Sequence, residues 1–210
     1  MVVAVALAMF PAAIPAQQIY MPLLRNGSFE SPVLPYGFQN WCLPDYWSLS
    51  SGGLPMEIRT RPIALANYLS ATDGSQMLAL YGDTISQSTT VSLAAGAHYL
   101  LSFDQSAPQN VGNSPQDALL NLSITDGTQT LTETFLVPYA TPAWSHQEYE
   151  FVAADDAAYS VSLASPNNSD YMSIIDNVSL VPVPEPSSSV LLLVAGAFAV
   201  LRYRQIRRTL

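Results

Sequence analysis

The sequence predicts an all-β fold for its middle, a two-sheet antiparallel sandwich over residues 17–182, flanked by an N-terminal signal helix and a C-terminal hydrophobic helix. Three observations point there. Apolar residues recur at every second position in segment after segment, the period of a half-buried strand. Gly, Pro, Asn and Asp punctuate these segments at short intervals, as turns between antiparallel strands require. No stretch of the middle offers a convincing helical stripe, although 63–69, just after Pro62, is ambiguous. Short strands with frequent turns bury one face each, and two stacked sheets achieve that.

In chain order, Met1 to Ala16 is apolar and rich in Ala and Val, closing on Ile14-Pro15-Ala16 before Gln17-Gln18. This reads as a signal helix with a small-residue cleavage site after Ala16, although it lacks the usual basic start. Pro11 and Pro15 weigh against the alternative, a buried strand. Next, Tyr36, Phe38, Trp41, Tyr46 and Trp47 crowd one loop with Gln39, Asn40 and Asp45. Aromatic faces beside hydrogen-bonding groups are what stacking on a sugar ring needs. Trp47, leading into a strand, is assigned to the core, and Tyr36 and Trp41 are the binding candidates. The alternative is a loop folded over the sandwich end as a hydrophobic lid.

The strands follow. Tyr99, Leu101 and Phe103 share one face of the segment 97–103. Leu120, Leu122 and Ile124 alternate with Asn121, Ser123 and Thr125, and Asp126-Gly127 turns the chain into Leu131 to Val137 as a hairpin partner. Tyr149 and Phe151, then Tyr159, Val161 and Leu163, keep the period. Trp144, at the start of a strand, is expected to pack. Ile174, Asp176, Val178 and Leu180 share one parity, which sets Asp176 on the apolar face. A carboxylate there is costly unless it is paired, hydrogen-bonded or bound to a metal.

The tail from Val183 runs in three parts: Pro184-Glu185-Pro186, an uncharged apolar run over 190–201, and a cluster of Arg202, Arg204, Arg207 and Arg208. As a helix the run covers only about 18 Å, short of a ~30 Å hydrocarbon core. Residues 187–189 and the snorkelling arginine stems bring it nearer to spanning. The arginines act as a positive stop, with the end in the cytoplasm and everything before it outside. The alternative is an ordinary anchor behind a stiff Pro-rich spacer.

Charge excludes several functions. The 210-residue chain has sixteen acidic residues and seven basic ones, all arginine, and four of those lie in the tail. With only Arg25, Arg59 and Arg61 before it, no basic patch exists to neutralise phosphates, so no nucleic acid is expected as partner. Cys42 is alone, forbids an internal disulfide, and is assigned to the packed interior rather than to thiol chemistry. His98 and His146 sit in strand-like contexts without a Gly-x-Ser-x-Gly elbow, and Asp155-Asp156 reads as a turn. With no zinc spacing or phosphate loop either, the chain is not expected to be an enzyme.

The tail resembles the PEP-CTERM protein-sorting signal of Gram-negative bacteria over Val183 to Arg208. The resemblance implies an exosortase as processing partner, cutting near the Pro184-Glu185-Pro186 triplet. It also implies transient residence in the inner membrane, and then the cell surface or an exopolysaccharide-containing matrix. The short apolar run departs from the family pattern. Five blocks before it, Asn26–Glu30, Asp73-Gly74, Ser86–Thr89, Ala95–Phe103 and Ile175–Val178, resemble in order the galactose-binding-like jelly rolls of carbohydrate-binding modules. That resemblance implies a jelly-roll sandwich whose partner is a glycan, with a structural calcium held by Glu30 and Asp176, hard oxygen ligands of the kind calcium takes. Asp73 is assigned to its turn. The alternative function is a structural or protein-interaction component of the envelope or matrix with no sugar site.

Overall fold

The computed structural model describes residues 22–34, 38–40, 42–51, 57–59, 70–80, 82–107, 117–139, 143–166 and 173–184; of 38–40, 50–51 and 57–59 it gives the backbone alone. Eleven strands are described: β1 Phe38–Asn40, β2 Ser48–Ser51, β3 Glu57–Arg59, β4 Met77–Leu80, β5 Thr84–Ser88, β6 His98–Ser106, β7 Ala118–Thr125, β8 Thr130–Val137, β9 Ser145–Val152, β10 Ser160–Ala164 and β11 Ser173–Pro182. Among the described residues there is no helix. The stretch 63–69 and the segments expected to form the signal helix and the C-terminal hydrophobic helix lie outside the described residues.

The strands form two antiparallel sheets, a six-stranded one in the order β1-β3-β4-β11-β6-β9 and a five-stranded one in the order β2-β5-β10-β7-β8. This is the two-sheet sandwich that the alternation predicts and the jelly roll that the resemblance implies. Tyr99, Leu101 and Phe103 of β6 and Leu120, Leu122 and Ile124 of β7 enter one core with Tyr159, Val161 and Leu163. Phe103 meets Phe135 edge-on at 5.0 Å between centroids, tying the two sheets together. Each fully buried side chain of this size contributes about 1.5–3 kcal/mol. The β7–β8 hairpin turns where expected: the Asp126 carboxylate accepts from the Thr128 and Gln129 amides, and Gly127 takes φ 93°. Those bonds hold the Asp126 carboxyl at about 2, below its ordinary value.

The parity of β11 differs from expectation. Asp176 pairs with Asp104 while Ser179 pairs with Ser102, so β11 spends one residue more than β6 over this interval. The extra residue is Asn177, at φ 53°. Asparagine tolerates this left-handed conformation better than most residues. Before the bulge Ile175 faces the main core, and after it Val178 and Leu180 do. Ile174 packs instead with Met77, Ala79, Ala71 and Trp144 in a second cluster on the outer side of the six-stranded sheet. Asp176, two residues on and before the bulge, shares that outer side. It is fully buried all the same, because the chain around residue 72 covers it.

Candidate functional site

Two places on the sandwich gather chemistry. The first is a clasp around residues 72–76. Asp176 Oδ2 accepts from the Thr72 amide at 2.6 Å, the Thr72 hydroxyl at 3.1 Å and the Asp73 amide at 3.1 Å, and Oδ1 accepts from the Asn177 amide. Glu30 Oε1 accepts from the Ser75 and Gln76 amides at 2.7 and 2.5 Å, and Oε2 from the Ser75 hydroxyl. The two sequence candidates thus grip one loop from opposite ends of the chain. Gly74, at φ 77°, is the residue that lets the chain pass, since a Cβ there would lie 2.5 Å from Glu30 Oε1.

The electrostatics follow from burial. Desolvation pushes the Asp176 carboxyl up to about 6, against the opposing pull of the Asp73, Asn177 and Thr72 donors. Its neighbour Asp104 is also raised by burial, but hydrogen bonds from Thr72, His146 and Asn177 and the His146 charge outweigh this and set it below its ordinary value. His146 lies 2.7 Å from Asp104 and 3.5 Å from Glu148, and the Asp104 hydrogen bond raises its pKa. The donor set of the clasp suits a hard cation in kind, being carboxylate and hydroxyl oxygens. Among the described residues, however, no three acidic, imidazole or thiol groups converge. The partners of Glu30 and Asp176 are N–H and O–H donors.

The second place is an open pocket of about 290 Å³ lined by Arg25, Tyr46, Gln87, Ser88 and Thr90. Tyr46 sits in the turn closed by the Trp47 amide on the Pro44 carbonyl, with φ 71° and 60 % of the residue exposed. A bulky side chain rarely takes that conformation, and such strain concentrates at ligand clamps. The Asn26 amide group holds the turn by donating to the Asp45 carbonyl, and the Trp47 indole donates to the Asn26 carbonyl. Trp47 itself is buried against Phe29, 5.8 Å between centroids, as its position before β2 predicts. Arg25 lies over the Tyr46 ring at 5.2 Å.

Beside this pocket the outer face of the five-stranded sheet is uncharged and rich in hydroxyls. Ser48, Ser86, Ser162, Ser123 and Thr132 stand in register across all five strands. Ser88, Ser160, Thr125 and Thr130 form the next row. The sequence shows this face as Ser or Thr at every second position of Thr84–Ser88, Ser160–Ser162 and Thr130–Thr134, a signal overshadowed by the apolar residues between them.

Of the other sequence candidates, Tyr36 and Trp41 lie outside the described residues, as do Glu185, Pro186, Arg202, Arg204, Arg207 and Arg208. Pro184 directly follows Val183, whose amide donates to the His98 carbonyl in the last main-chain bond of the sandwich. Trp144 is half-buried against Ile174 and donates to the Ser70 carbonyl. Cys42 packs against the core, where burial and then Asp45 raise its thiol pKa.

Comparison with the curated proteins gives no match. Among solved structures, TmCBM61 in complex with β-1,4-galactotriose aligns with a TM-score of 0.55 at 15 % identity, over 78 % of this chain and 100 % of that one. A cyclase from Fischerella sp. TAU, in complex with 4-(1H-indol-3-yl)butan-2-one, aligns with a TM-score of 0.62 at 15 % identity, over 80 % and 100 %. The family model of the PEP-CTERM protein-sorting motif matches residues 182–208, which marks an exported protein with a C-terminal sorting signal. The chain thus carries the PEP-CTERM protein-sorting motif directly behind a domain with the jelly-roll fold of carbohydrate-binding modules.

Proposed function

We propose that this is a non-catalytic glycan-binding protein, processed by an exosortase and delivered through the inner membrane to the surface or exopolysaccharide matrix of a Gram-negative bacterium. The observation that carries the binding reading is Tyr46, an aromatic ring held exposed by a strained backbone beside the hydroxyls of Ser88 and Thr90. Tyr36 and Trp41, on the same stretch of sequence, are further candidates on the sequence alone. The galactotriose complex supports the reading by fold alone, and the same fold in a cyclase shows that fold does not choose between binding and chemistry. Binding is favoured because both histidines are exposed on a strand surface, paired with carboxylates and remote from any nucleophile–base arrangement among the described residues.

A structural calcium at Glu30 and Asp176 belongs to this reading. Its support is two carboxylates, one fully buried, gripping one loop with uncharged donors for partners. The cation would neutralise that buried charge and stiffen the loop.

A glycan panel probed with the full chain and with Tyr46→Gly tests the binding reading. Glycine relaxes the positive φ, a gain of about 1–2 kcal/mol. Against this stand the lost ring contact and the added chain entropy, each about 0.5–1 kcal/mol. The melting temperature should therefore stay within a few degrees while glycan signal disappears. Full binding by Tyr46→Gly removes Tyr46 from the site. Silence of the wild-type chain across the panel favours a structural matrix component.

A further inference from the structure

We propose that the pocket of Arg25 and Tyr46 selects an acidic glycan, one bearing uronate carboxylates, with Arg25 as the residue that reads the carboxylate. The inference rests on the glycan-binding reading above and names the ligand class.

The argument begins with scarcity of charge. The chain has no lysine, and of the three arginines before the tail Arg25 is the one whose side chain the structure describes. A domain this acidic offers many carboxylates with which a guanidinium could pair. Arg25 pairs with none: the ion pairs among the described residues belong to His98 and His146, and Arg25 lies exposed over Tyr46 instead. The guanidinium carbon lies 5.2 Å from the Tyr46 ring centroid, a contact that uses the face of a cation and no N–H donor, and no carboxylate among the described residues takes those donors. They are the part which matches a carboxylate with two parallel hydrogen bonds.

The arginine is also held in place from beneath. Gln87 is buried, and its amide group both accepts from the Arg25 amide at 2.5 Å and donates to the Arg25 carbonyl at 2.9 Å. The Thr90 amide donates to the Leu23 carbonyl and the Thr90 hydroxyl to the Pro22 carbonyl, so the chain leading to Arg25 is laced to the end of β5. These bonds fix the main chain from which the Arg25 side chain springs, so less of the chain has to be ordered on binding. Ser88, on the pocket rim, is the first member of the hydroxyl row that continues through Ser160, Thr125 and Thr130. No charged residue occupies that row, so an acidic chain leaving the pocket meets hydrogen-bonding groups there, with the carboxylates of Asp45 and Asp126 adjoining Tyr46 of the pocket and Thr125 of the row in sequence.

Calorimetric titration of the full chain with trigalacturonate, its methyl ester, neutral galactotriose and sodium acetate tests this. Triglucuronate serves as a second acidic sugar. Binding of an acidic trisaccharide is expected to weaken about tenfold or more on esterification or in Arg25→Gln, the scale of a charge-assisted hydrogen bond. It should also weaken with added salt. Acetate should not compete at equal concentration. The inference falls if neutral galactotriose binds as tightly as the acids and Arg25→Gln leaves it unchanged, an outcome that keeps the glycan-binding reading. Acetate binding as tightly as the trisaccharides overturns it too, in favour of a bare anion site. No binding by any sugar overturns both.

Discussion

Asp176 shows how one residue can answer to several demands. Its carboxylate is buried, receives four hydrogen bonds and closes the clasp on residues 72–73. With a folded pKa raised from the ordinary 3.8 to about 6, the folded state holds more protons than the unfolded chain across that window, so stability falls as pH rises through it. His146 acts in the same direction at higher pH: its raised pKa contributes stability that is full below 6.5 and lost as pH climbs through the folded value. The melting temperature should therefore rise on acidification from pH 8 to pH 5, and Asp176→Asn should flatten the slope between 4 and 6. Calcium in the clasp would lower the Asp176 pKa, reverse that part of the slope and raise the melting temperature at pH 7, an effect absent in Asp176→Asn. A calcium-insensitive wild-type midpoint removes the metal from the account. That Asp176 is buried was legible in the sequence, but the face it occupies was not. Reading parity through residues 174–180 assumes an unbroken pleat, and Asn177 breaks it.

At the scale of elements, the recurring blocks have separate mechanical reasons. Asn26 takes φ 49° and donates to the Ser31 and Asp45 carbonyls, which bends the first segment toward the aromatic turn. A Cβ on Gly27 would stand 1.8 Å from the Val178 carbonyl oxygen, and the Gly27 carbonyl accepts from the Val178 amide. Phe29 fills the core, and Glu30 closes the loop at Ser75 and Gln76. Glycine 27 therefore permits the close approach of the first segment to the bulge in β11. Gly27→Ala should cost about 1–3 kcal/mol or more, the range of overpacked sites whose neighbours cannot yield, and denaturant midpoints would show it. An unchanged midpoint would mean that the segment is free to move away. The strands themselves were legible, since alternation is a local signal that burial on one face enforces. The Arg25–Tyr46 pocket was not, because it joins residues that are far apart in sequence and, Gln87 apart, exposed, where no periodicity marks them. The rarity of cations and the aromatic crowding around Tyr46 were its visible traces.

For the whole molecule, the junction between sandwich and tail is short. β11 ends at Pro182, Val183 is still bonded to His98, and Pro184 opens the triplet. A processing enzyme that reads Pro184-Glu185-Pro186 must work against the end of a folded domain. Inserting a flexible ten-residue linker after Val183 should accelerate conversion of precursor to product in cells, and an unchanged rate would show that the folded end is no obstacle. The acidic, lysine-free sandwich suits life outside the cell, and its uncharged hydroxyl face gives a long ligand a place to lie. The most direct test of the central claim is to map the binding surface by amide chemical shifts while the full chain is titrated with the best ligand from the glycan panel. The account predicts changes centred on Arg25, Tyr46 and Ser88 and extending to Ser160 and Thr125. Changes confined to the opposite sheet, around Asp104 and His146, would contradict it.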